Sequence, residues 1–294
     1  MTTIAFVGLG AMGLPMAGNL AKAGFTVRGF DTRNAAGEAL ATLGGEASAS
    51  AAAASRDAQV LILMVVDAAQ ARSVLFEAGA LDALAPDGLV ILMATCPPKL
   101  VAALARDVEA TGRPFLDAPV SGGVVGARAG GLTIMAAAPK AVFDRAGPIL
   151  QRLGTKVFHV GEEPGQGATL KAVNQLLCGV HIAVVAEAFS LARKAGLDGQ
   201  TVLDILSGSA ASSWMLKDRG PRMLQDEPPV TSAVDIFVKD LGIVLEAGRE
   251  QRVALPLAST AMQLFLASSG RGEGGRDDSQ VIRSYDLLNG NVPS

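Results

Sequence analysis

The stretch 165–193, GQGATLKAVNQLLCGVHIAVVAEAFSLAR, predicts one long helix, because it contains no proline and its apolar residues appear on every side. Such a helix is expected to be buried all round and to join two domains. Lys171, His181 and Glu187 interrupt its apolar sequence. A lysine is rarely buried without a reason, so Lys171 is a candidate functional residue. In the alternative interpretation, its stem packs along the helix and its ammonium group reaches water.

Asn174 follows Lys171 by one helical turn, and Cys178 and His181 continue along roughly the same side. A lysine and a carboxamide therefore share one face of an apolar helix. His159 and His181 form no arrangement that would indicate a hydrolytic triad, and a core role for His181 is the simpler interpretation. We expect the helix to fail as a membrane span, because spanning needs about 20 apolar residues without such breaks.

Strands and helices alternate on the N-terminal side of this helix. The run TIAFV at 3–7 predicts a buried strand, 14–23 has helical spacing, and 25–30 predicts a second strand. Further strands are predicted at 60–66, 88–93, 113–116, 132–136 and 156–160, and helices at 97–111 and 140–153. This alternation predicts an α/β Rossmann fold with a doubly wound parallel sheet, in a domain that spans residues 1–162.

A glycine-rich turn joins the first strand to the first helix. It consists of Gly8, Leu9, Gly10, Ala11, Met12 and Gly13. The first glycine permits the tight turn, the second lets the backbone approach a pyrophosphate, and the third lets helix and strand pack closely. Asp31 ends the second strand, where a carboxylate accepts hydrogen bonds from the adenine ribose. Strand, turn, helix and acid together predict a dinucleotide site rather than a turn that binds nothing.

No strand is convincing on the C-terminal side of the long helix. Helices are predicted at 200–207, 214–224, 235–250, 256–268 and 279–288. The sequence SSGRGEGGRDD at 268–278 predicts a mobile loop. Residues 163–294 are therefore predicted to form an all-helical second domain.

Composition narrows the class of ligand. The net charge is −3, only 18% of residues are charged, and aromatic residues make up 4%. These values argue against a nucleic-acid partner, which needs a large basic patch. The two cysteines, Cys96 and Cys178, have neither metal-ligand nor disulfide spacing. We therefore expect no metal and no membrane partner, and a cytoplasmic location.

Four motifs, in order and with the expected spacing, resemble the β-hydroxyacid dehydrogenases. They are GLGAMGLPMAGNLAKAG at 8–24, DAPVSGG at 117–123, GQGATLKAVNQ at 165–175 and FVKD at 237–240. The resemblance covers nearly the whole chain. It implies an NAD-binding Rossmann domain, and a helical C-terminal domain that also forms a homodimer or homotetramer. The implied reaction moves hydride between nicotinamide and a small hydroxy acid.

The same resemblance implies roles for individual residues. Lys171 matches the catalytic lysine of the family, and Asn174 can hydrogen-bond the substrate hydroxyl. A lysine has an ordinary pKa of about 10.4, so a basic lysine near neutrality needs desolvation or a cationic neighbour. Lys239, which matches a second family lysine near substrate and cofactor, could be that neighbour. Alternatively, Lys239 is a solvated helix residue paired with Asp235.

Ser121 and the N–H groups of Gly122 and Gly123 match the part of the family that holds a substrate carboxylate. Without the other motifs, these residues would indicate a plain strand-to-loop turn. Val65 and Thr95 complete the candidate cofactor contacts.

The segment 92–98, LMATCPP, departs from the family pattern of Asp-x-Ser-Thr before proline. The threonine remains as Thr95, while the acid and the serine are absent, so we expect NAD binding with altered local contacts. Cys96 is expected to be a small buried residue rather than a reactive thiol. Asp31 favours NAD over NADP, and Arg33 could soften that preference by pairing with a phosphate.

The run SGSAASSW at 207–214 is small and rich in hydroxyl groups, which suits a substrate with several hydroxyls. The stretches 174–188 and 207–216 also resemble the branch of the family that oxidises L-threonate at its second carbon. Tartronate semialdehyde and 3-hydroxyisobutyrate are the alternative substrates. The serines could instead only cap and pack helices. A non-catalytic NAD-binding module and an imine reductase are further alternatives, and a lysine at position 171 argues against both.

Overall fold

The structure is a computed structural model that describes residues 2–290. The chain divides into two compact units, Met1–Lys171 and Ala172–Ser294. The division therefore falls inside the long helix, whereas the sequence motifs place it just before that helix.

The first unit is built on one nine-stranded sheet. Its strands are β1 Thr3–Val7, β2 Thr26–Phe30, β3 Glu46–Ala47, β4 Val60–Leu63, β5 Leu89–Leu92, β6 Phe115–Asp117, β7 Val120–Ser121, β8 Thr133–Ala137 and β9 Lys156–Gly161. Their order is β3-β2-β1-β4-β5-β6-β8-β7, with β9 beside β8. The ladders from β3 to β6 and between β8 and β9 are parallel, and β8 is antiparallel to β6 and β7. The predicted Rossmann class is confirmed.

Helices cover both faces of this sheet, which explains why β4 and β5 are buried along their whole length. They are α1 Gly13–Lys22, α2 Asn34–Thr42, α3 Ala51–Ser55, α4 Ala68–Arg72, α5 Ala80–Ala83, α6 Pro98–Glu109, α7 Gly123–Ala129 and α8 Lys140–Leu153. A π-helical segment, Ser73–Glu77, continues α4. One apolar cluster lies on each face. The strands β3 and β7 were not predicted, because two residues are too short to show a hydrophobic period.

The long helix, α9 Gln166–Lys194, begins in the first unit and continues into the second. The second unit adds α10 Gly199–Gly208, α11 Trp214–Met223, α12 Val234–Glu250, α13 Pro256–Ser268 and α14 Ile282–Leu288. Phe237 and Phe265 stack in its core, with ring centroids 5.2 Å apart. Residues 172–290 contain helices and turns but no strand, apart from one isolated bridge between Ala233 and Asp277.

Two predictions about α9 are wrong. It is not buried all round, because Leu177, Val184 and Leu191 are each at least half exposed. They are seven residues apart, which places them on one side of the helix. The helix also passes the test for a membrane span by length and composition, with 44% of its apolar window buried. The core helix of a soluble protein passes the same test, so this result alone does not place the helix in a membrane.

The predicted mobile loop at 268–278 is also wrong. Its first half forms a π-helical turn, Ser269–Glu273, and a 3-10 turn follows at Asp278–Val281. Asp277 and Asp278 are buried. Arg219 donates to both oxygens of Asp278, at 2.9 and 2.7 Å, and Arg222 donates to Asp277 at 3.2 Å. These ion pairs join residues far apart in sequence, and local composition therefore could not reveal them.

Candidate active site

The glycine-rich turn at 8–13 links β1 to α1, and the structure gives its glycines steric reasons. Gly8 has a φ of 96°, and a Cβ there would lie 2.4 Å from the carbonyl oxygen of Met64. A Cβ at Gly13 would lie 1.8 Å from the carbonyl oxygen of Gly8. At Gly10, a Cβ would meet no atom of residues 2–290 within 4 Å. The backbone is therefore open at this position, which fits the approach of a diphosphate.

Leu9, Ala11 and Met12 lie between these glycines, and Leu9 connects the turn to Asp31. The Oδ2 atom of Asp31 accepts a hydrogen bond from the Leu9 N–H at 2.8 Å, and its Oδ1 atom accepts one from the Arg33 N–H at 3.0 Å. The Arg33 guanidinium donates to both oxygens, at 3.0 and 3.3 Å. Burial raises the pKa of Asp31, but the hydrogen bonds from Arg33 and Leu9 outweigh burial and lower it.

Val65 and Thr95 lie just beyond the ends of the neighbouring parallel strands β4 and β5. The backbone nitrogen of Val65 would lie 3.3 Å from a Cβ at Gly8, so Val65 adjoins the glycine-rich turn. Thr95 is half-buried. Its neighbour Cys96 is buried, which confirms the prediction that Cys96 is a small buried residue.

Ser121 is the last residue of β7 and pairs with Thr133 of β8. Gly122 and Gly123 follow with φ values of 127° and 60°, a region that favours glycine. The helix α7 begins at Gly123. The segment is therefore a short antiparallel strand and a tight turn, and the role of its N–H groups in holding a carboxylate stays a prediction.

Lys171 lies in the second turn of α9, and its exposed fraction is 7%. The first turn of that helix is bound by Asp117, a buried acid at the end of β6. The Oδ2 atom of Asp117 accepts hydrogen bonds from the N–H groups of Gly165, at 2.8 Å, and of Ala168, at 2.9 Å. Lys171 follows Ala168 by three residues. Burial raises the pKa of Asp117 to about 6, although N–H groups of this turn act to lower it.

A polar chain runs between α9 and α12 in the second unit. The side-chain nitrogen of Asn174 donates to Gln175 Oε1 at 2.8 Å and to Cys178 Sγ at 3.3 Å. Gln175 donates to Asp240 Oδ2 at 2.5 Å, and Lys239 Nζ lies 2.8 Å from Asp240 Oδ1. The structure therefore connects two candidate residues, Asn174 and Lys239, through a glutamine and an acid that are both buried.

Lys239 thus has an ion-pair partner in Asp240, its neighbour in the chain. Its role as a cationic neighbour of Lys171 stays a prediction. Of the two histidines, His159 stacks on Phe143 with centroids 4.6 Å apart and has its Nε2 atom 2.8 Å from the Ala138 carbonyl oxygen. Those contacts indicate a structural role. His181 is half-buried.

Three candidate residues escaped the sequence analysis, namely Asp117, Gln175 and Asp240. Each stands inside a motif that was quoted for its neighbours. A signal was available for Asp117, since an acid directly after a buried strand needs a partner. Within residues 2–290, no group of three or more His, Cys, Asp or Glu side chains could hold a metal ion.

Comparison with known proteins identifies the family. Residues 3–161 match the model of the NAD binding domain of 6-phosphogluconate dehydrogenase. Residues 165–285 match the model described as the NAD-binding domain of NADP-dependent 3-hydroxyisobutyrate dehydrogenase. The chain is 42% identical to L-threonate dehydrogenase of Cupriavidus necator, over 96% of this chain and 95% of that protein. It is 34% identical to 2-hydroxy-3-oxopropionate reductase of Escherichia coli, over 97% of each.

A crystal structure described as 3-hydroxyisobutyrate dehydrogenase from Salmonella typhimurium superposes with a TM-score of 0.91 at 38% identity, covering 96% of this chain and 99% of that one. The chain therefore belongs to the β-hydroxyacid dehydrogenase family. It is an oxidoreductase with NAD(P)-binding domains, and within the family it resembles the L-threonate dehydrogenase branch, as its motifs predict.

Proposed function

We propose that this protein is an NAD-dependent dehydrogenase that oxidises L-threonate at its second carbon, with Lys171 as the acid/base group. The observation that carries the chemical part is the burial of Lys171 at the start of α9. A lysine costs free energy to bury, and only 7% of Lys171 is exposed. The same observation favours an enzyme over a non-catalytic NAD-binding module.

The proposed roles of the residues follow from their chemistry. Lys171 Nζ takes the proton of the substrate hydroxyl during oxidation and returns it during reduction. A nicotinamide dinucleotide held by the glycine-rich turn at 8–13 would supply the hydride acceptor. Ser121 and the N–H groups of Gly122 and Gly123 hold the substrate carboxylate. Gln175 orients the side chain of Asn174. Asn174 in turn hydrogen-bonds the reacting hydroxyl and holds it in one orientation.

The substrate part of the proposal is supported by relatives named L-threonate dehydrogenase at 38–42% identity. The hydroxyl-rich run at 207–214 gives weaker support for a polyhydroxy substrate than the sequence alone suggests. Ser213 caps α11 by accepting from the Leu216 N–H at 3.0 Å, and Ser209 accepts from the Ala211 N–H at 3.2 Å. Ser207, Ser212 and His181 remain as the polar groups proposed to face a polyhydroxy acid.

The test is kcat/KM with NAD at alkaline pH for L-threonate, 3-hydroxyisobutyrate and glycerate. We expect L-threonate to exceed 3-hydroxyisobutyrate by about tenfold or more, because unpaired polar groups in a pocket penalise an apolar substrate. Preference for 3-hydroxyisobutyrate by the same factor would overturn the substrate while leaving the dehydrogenase. Reduction of tartronate semialdehyde is measured in parallel as the other alternative. Tight NADH binding without turnover of any of these compounds would favour the non-catalytic module.

We further propose a cytoplasmic homodimer or homotetramer, formed through the helical unit, with no nucleic-acid or membrane partner. The exposed apolar stripe of Leu177, Val184 and Leu191 supports this oligomer. Changing Leu177 and Val184 to glutamate should reduce the mass measured by light scattering to that of a monomer. Ile205→Glu, at an exposed site on α10, is the control and should not. A monomeric wild type contradicts the oligomer, and recovery of the wild type with membranes contradicts the location.

A further inference from the structure

Asp117 is buried, at 1% exposure, and it binds backbone rather than side chains. It ends β6, and its carboxylate accepts from the N–H groups of Gly165 and Ala168, with a further backbone hydrogen bond from Gly167. The first N–H groups of a helix have no partner within the helix, and a negative charge is favoured beside them. A residue about fifty positions earlier in the chain thus caps the first turn of α9.

The local sequence is shaped to admit this carboxylate. A Cβ at Gly167 would lie 3.0 Å from Asp117 Oδ2 and 2.5 Å from the carbonyl oxygen of Met135. Gly165 has a φ of 103°, and a Cβ there would lie 3.0 Å from the carbonyl oxygen of Pro98. A side chain at Gly167 would push the helix start away from β6 and β8, and one at Gly165 would collide with the start of α6. The contact between β6 and α9 is therefore close because residue 167 is glycine.

The arrangement is a poor way to gain stability. Burial raises the pKa of Asp117 to about 6, although backbone N–H groups act to lower it. A carboxyl whose pKa is raised on folding opposes folding once it is ionised. An asparagine of the same shape could cap the helix without that cost. The start of α9 therefore needs a hydrogen-bond acceptor at position 117, and not a charge.

Asp117 is close in the chain to the turn at 121–123 and is hydrogen-bonded to the start of α9, the two segments that carry the proposed chemistry. Ser121 lies four residues after it along the chain. Asp117 accepts a hydrogen bond from the N–H group of Ala168, and Lys171 lies three residues after Ala168. Three residues correspond to about 4.5 Å of helix rise. If the first turn of α9 moved relative to β6, Lys171 would therefore move by nearly the same distance.

We propose that Asp117 is a positioning residue for hydride transfer, one that fixes Lys171 relative to the carboxylate-holding turn at 121–123. The inference rests on the proposed function, because it needs Lys171 to be the acid/base group. Asp117 itself takes no proton from the substrate. Its carboxylate holds the first turn of α9 in one place, and the lysine amine is thereby held at a constant distance from the reacting hydroxyl.

The experiment compares Asp117→Ala, Asp117→Glu and Asp117→Asn by steady-state kinetics with NAD and the best hydroxy acid, on the full-length protein. The alanine variant removes the cap, and the glutamate variant keeps the charge but adds one methylene between strand and helix. Both should lower kcat by about 10- to 100-fold while the KM for NAD stays within about twofold, because displacement of a catalytic group by about 1 Å costs that much. The asparagine variant keeps an oxygen for both N–H groups and should retain kcat within about fivefold.

Leu75→Ala is the matched control, since Leu75 is fully buried in the same unit and its loss should cost about 2–5 kcal/mol in stability. It should leave the kcat of the folded enzyme unchanged, which separates positioning from mere destabilisation. Lys171→Ala is assayed alongside. If Asp117→Ala and Asp117→Glu keep wild-type kcat while Lys171→Ala is inactive, the positioning role is wrong and the proposed function stands. If Lys171→Ala retains near-normal turnover, both are wrong.

Discussion

Asp117 in the first unit and Asp278 in the second are both fully buried acids, but they are held in opposite ways. Asp117 is held by the N–H groups of a helix start. Asp278 is held by two hydrogen bonds from the guanidinium of Arg219, which is itself buried. The first arrangement fixes a short segment beside the proposed active site. The second joins α11 to the turn before α14 and neutralises its own charge.

Burial of a charge does not by itself indicate function. A complete ion pair in a core can be a structural cross-link. A buried acid that meets only backbone atoms, close to a buried lysine of unexplained purpose, is better evidence of a site. Four predictions test this distinction.

The largest effect is expected at the lysine. Lys171→Ala should lower kcat by about a hundredfold or more while NADH affinity barely changes, because the proton acceptor is lost and the cofactor contacts are kept. The measurement is steady-state kinetics together with NADH titration. A variant with near-normal turnover would show that the burial of Lys171 does not indicate a catalytic role.

The second effect is on stability. Asp278→Asn should lower the free energy of unfolding by about 3–5 kcal/mol, because it leaves the charge of Arg219 partly uncompensated in the core. Urea unfolding measures the loss, and kcat per folded molecule should change less than fivefold. If kcat falls as far as in Lys171→Ala, the ion pair belongs to the functional site, and the distinction between Asp117 and Asp278 is wrong.

The third prediction concerns pH. The pKa of Asp117 is about 6 in the folded protein, against an ordinary value of 3.8. Between these values the folded state holds a proton that the unfolded state has lost, so the free energy of unfolding falls as pH rises. The fall is about 1.4 kcal/mol per pH unit and about 3 kcal/mol in total, complete near pH 6.

Asp117→Asn should remove that part of the pH dependence. Urea unfolding of both proteins at pH 4, 5, 6 and 7 measures it, and the variant should gain on the wild type through this window. A constant difference across the series would show that folding leaves the pKa of Asp117 near its ordinary value.

The smallest effect is expected at Arg33, an exposed arginine. Arg33 pairs with Asp31 at 3.0 Å, with the Arg33 side chain mostly exposed, so Arg33→Ala should cost less than about 1 kcal/mol in stability.

We expect the wild type to prefer NAD, because Asp31 would repel the 2′-phosphate of NADP. Arg33→Ala should sharpen this preference about fivefold, measured as the ratio of kcat/KM values. Arg72→Ala, which breaks an ion pair between an exposed arginine and the exposed acid Asp107, is the control. A wild type that prefers NADP would show that Arg33 dominates.

Local pattern was sufficient for most of the fold. The predicted and observed bounds agree for β1, α8 and α13, where apolar period, length and helix or strand ends coincide. The glycine-rich turn was also predictable, because the strand before it, the helix after it and Asp31 beyond them stand in one short stretch. Lys171 was found because a charge in an apolar helix is conspicuous in the sequence itself.

The remainder depends on contacts between distant residues. The caps that Asp117 provides, and the ion pairs of Asp277 and Asp278, each join residues about fifty positions or more apart. Composition indicated a mobile loop where those pairs create order. The exposed stripe of α9 was missed for a related reason, since apolar content alone does not say which side of a helix is covered.

The missing side chain at Gly167 has a consequence for sequences related to this one. Because a methyl group there would collide with the Asp117 carboxylate and the Met135 carbonyl oxygen, positions 117 and 167 are not free to drift separately. A chain that acquires alanine at 167 must move the start of α9 away from the Met135 carbonyl oxygen, which breaks the cap, and it is then expected to lose the acid at 117 as well. The joint presence of the two residues is therefore a marker that can be searched for among uncharacterised homologues, and an engineered library that varies one position should vary the other with it.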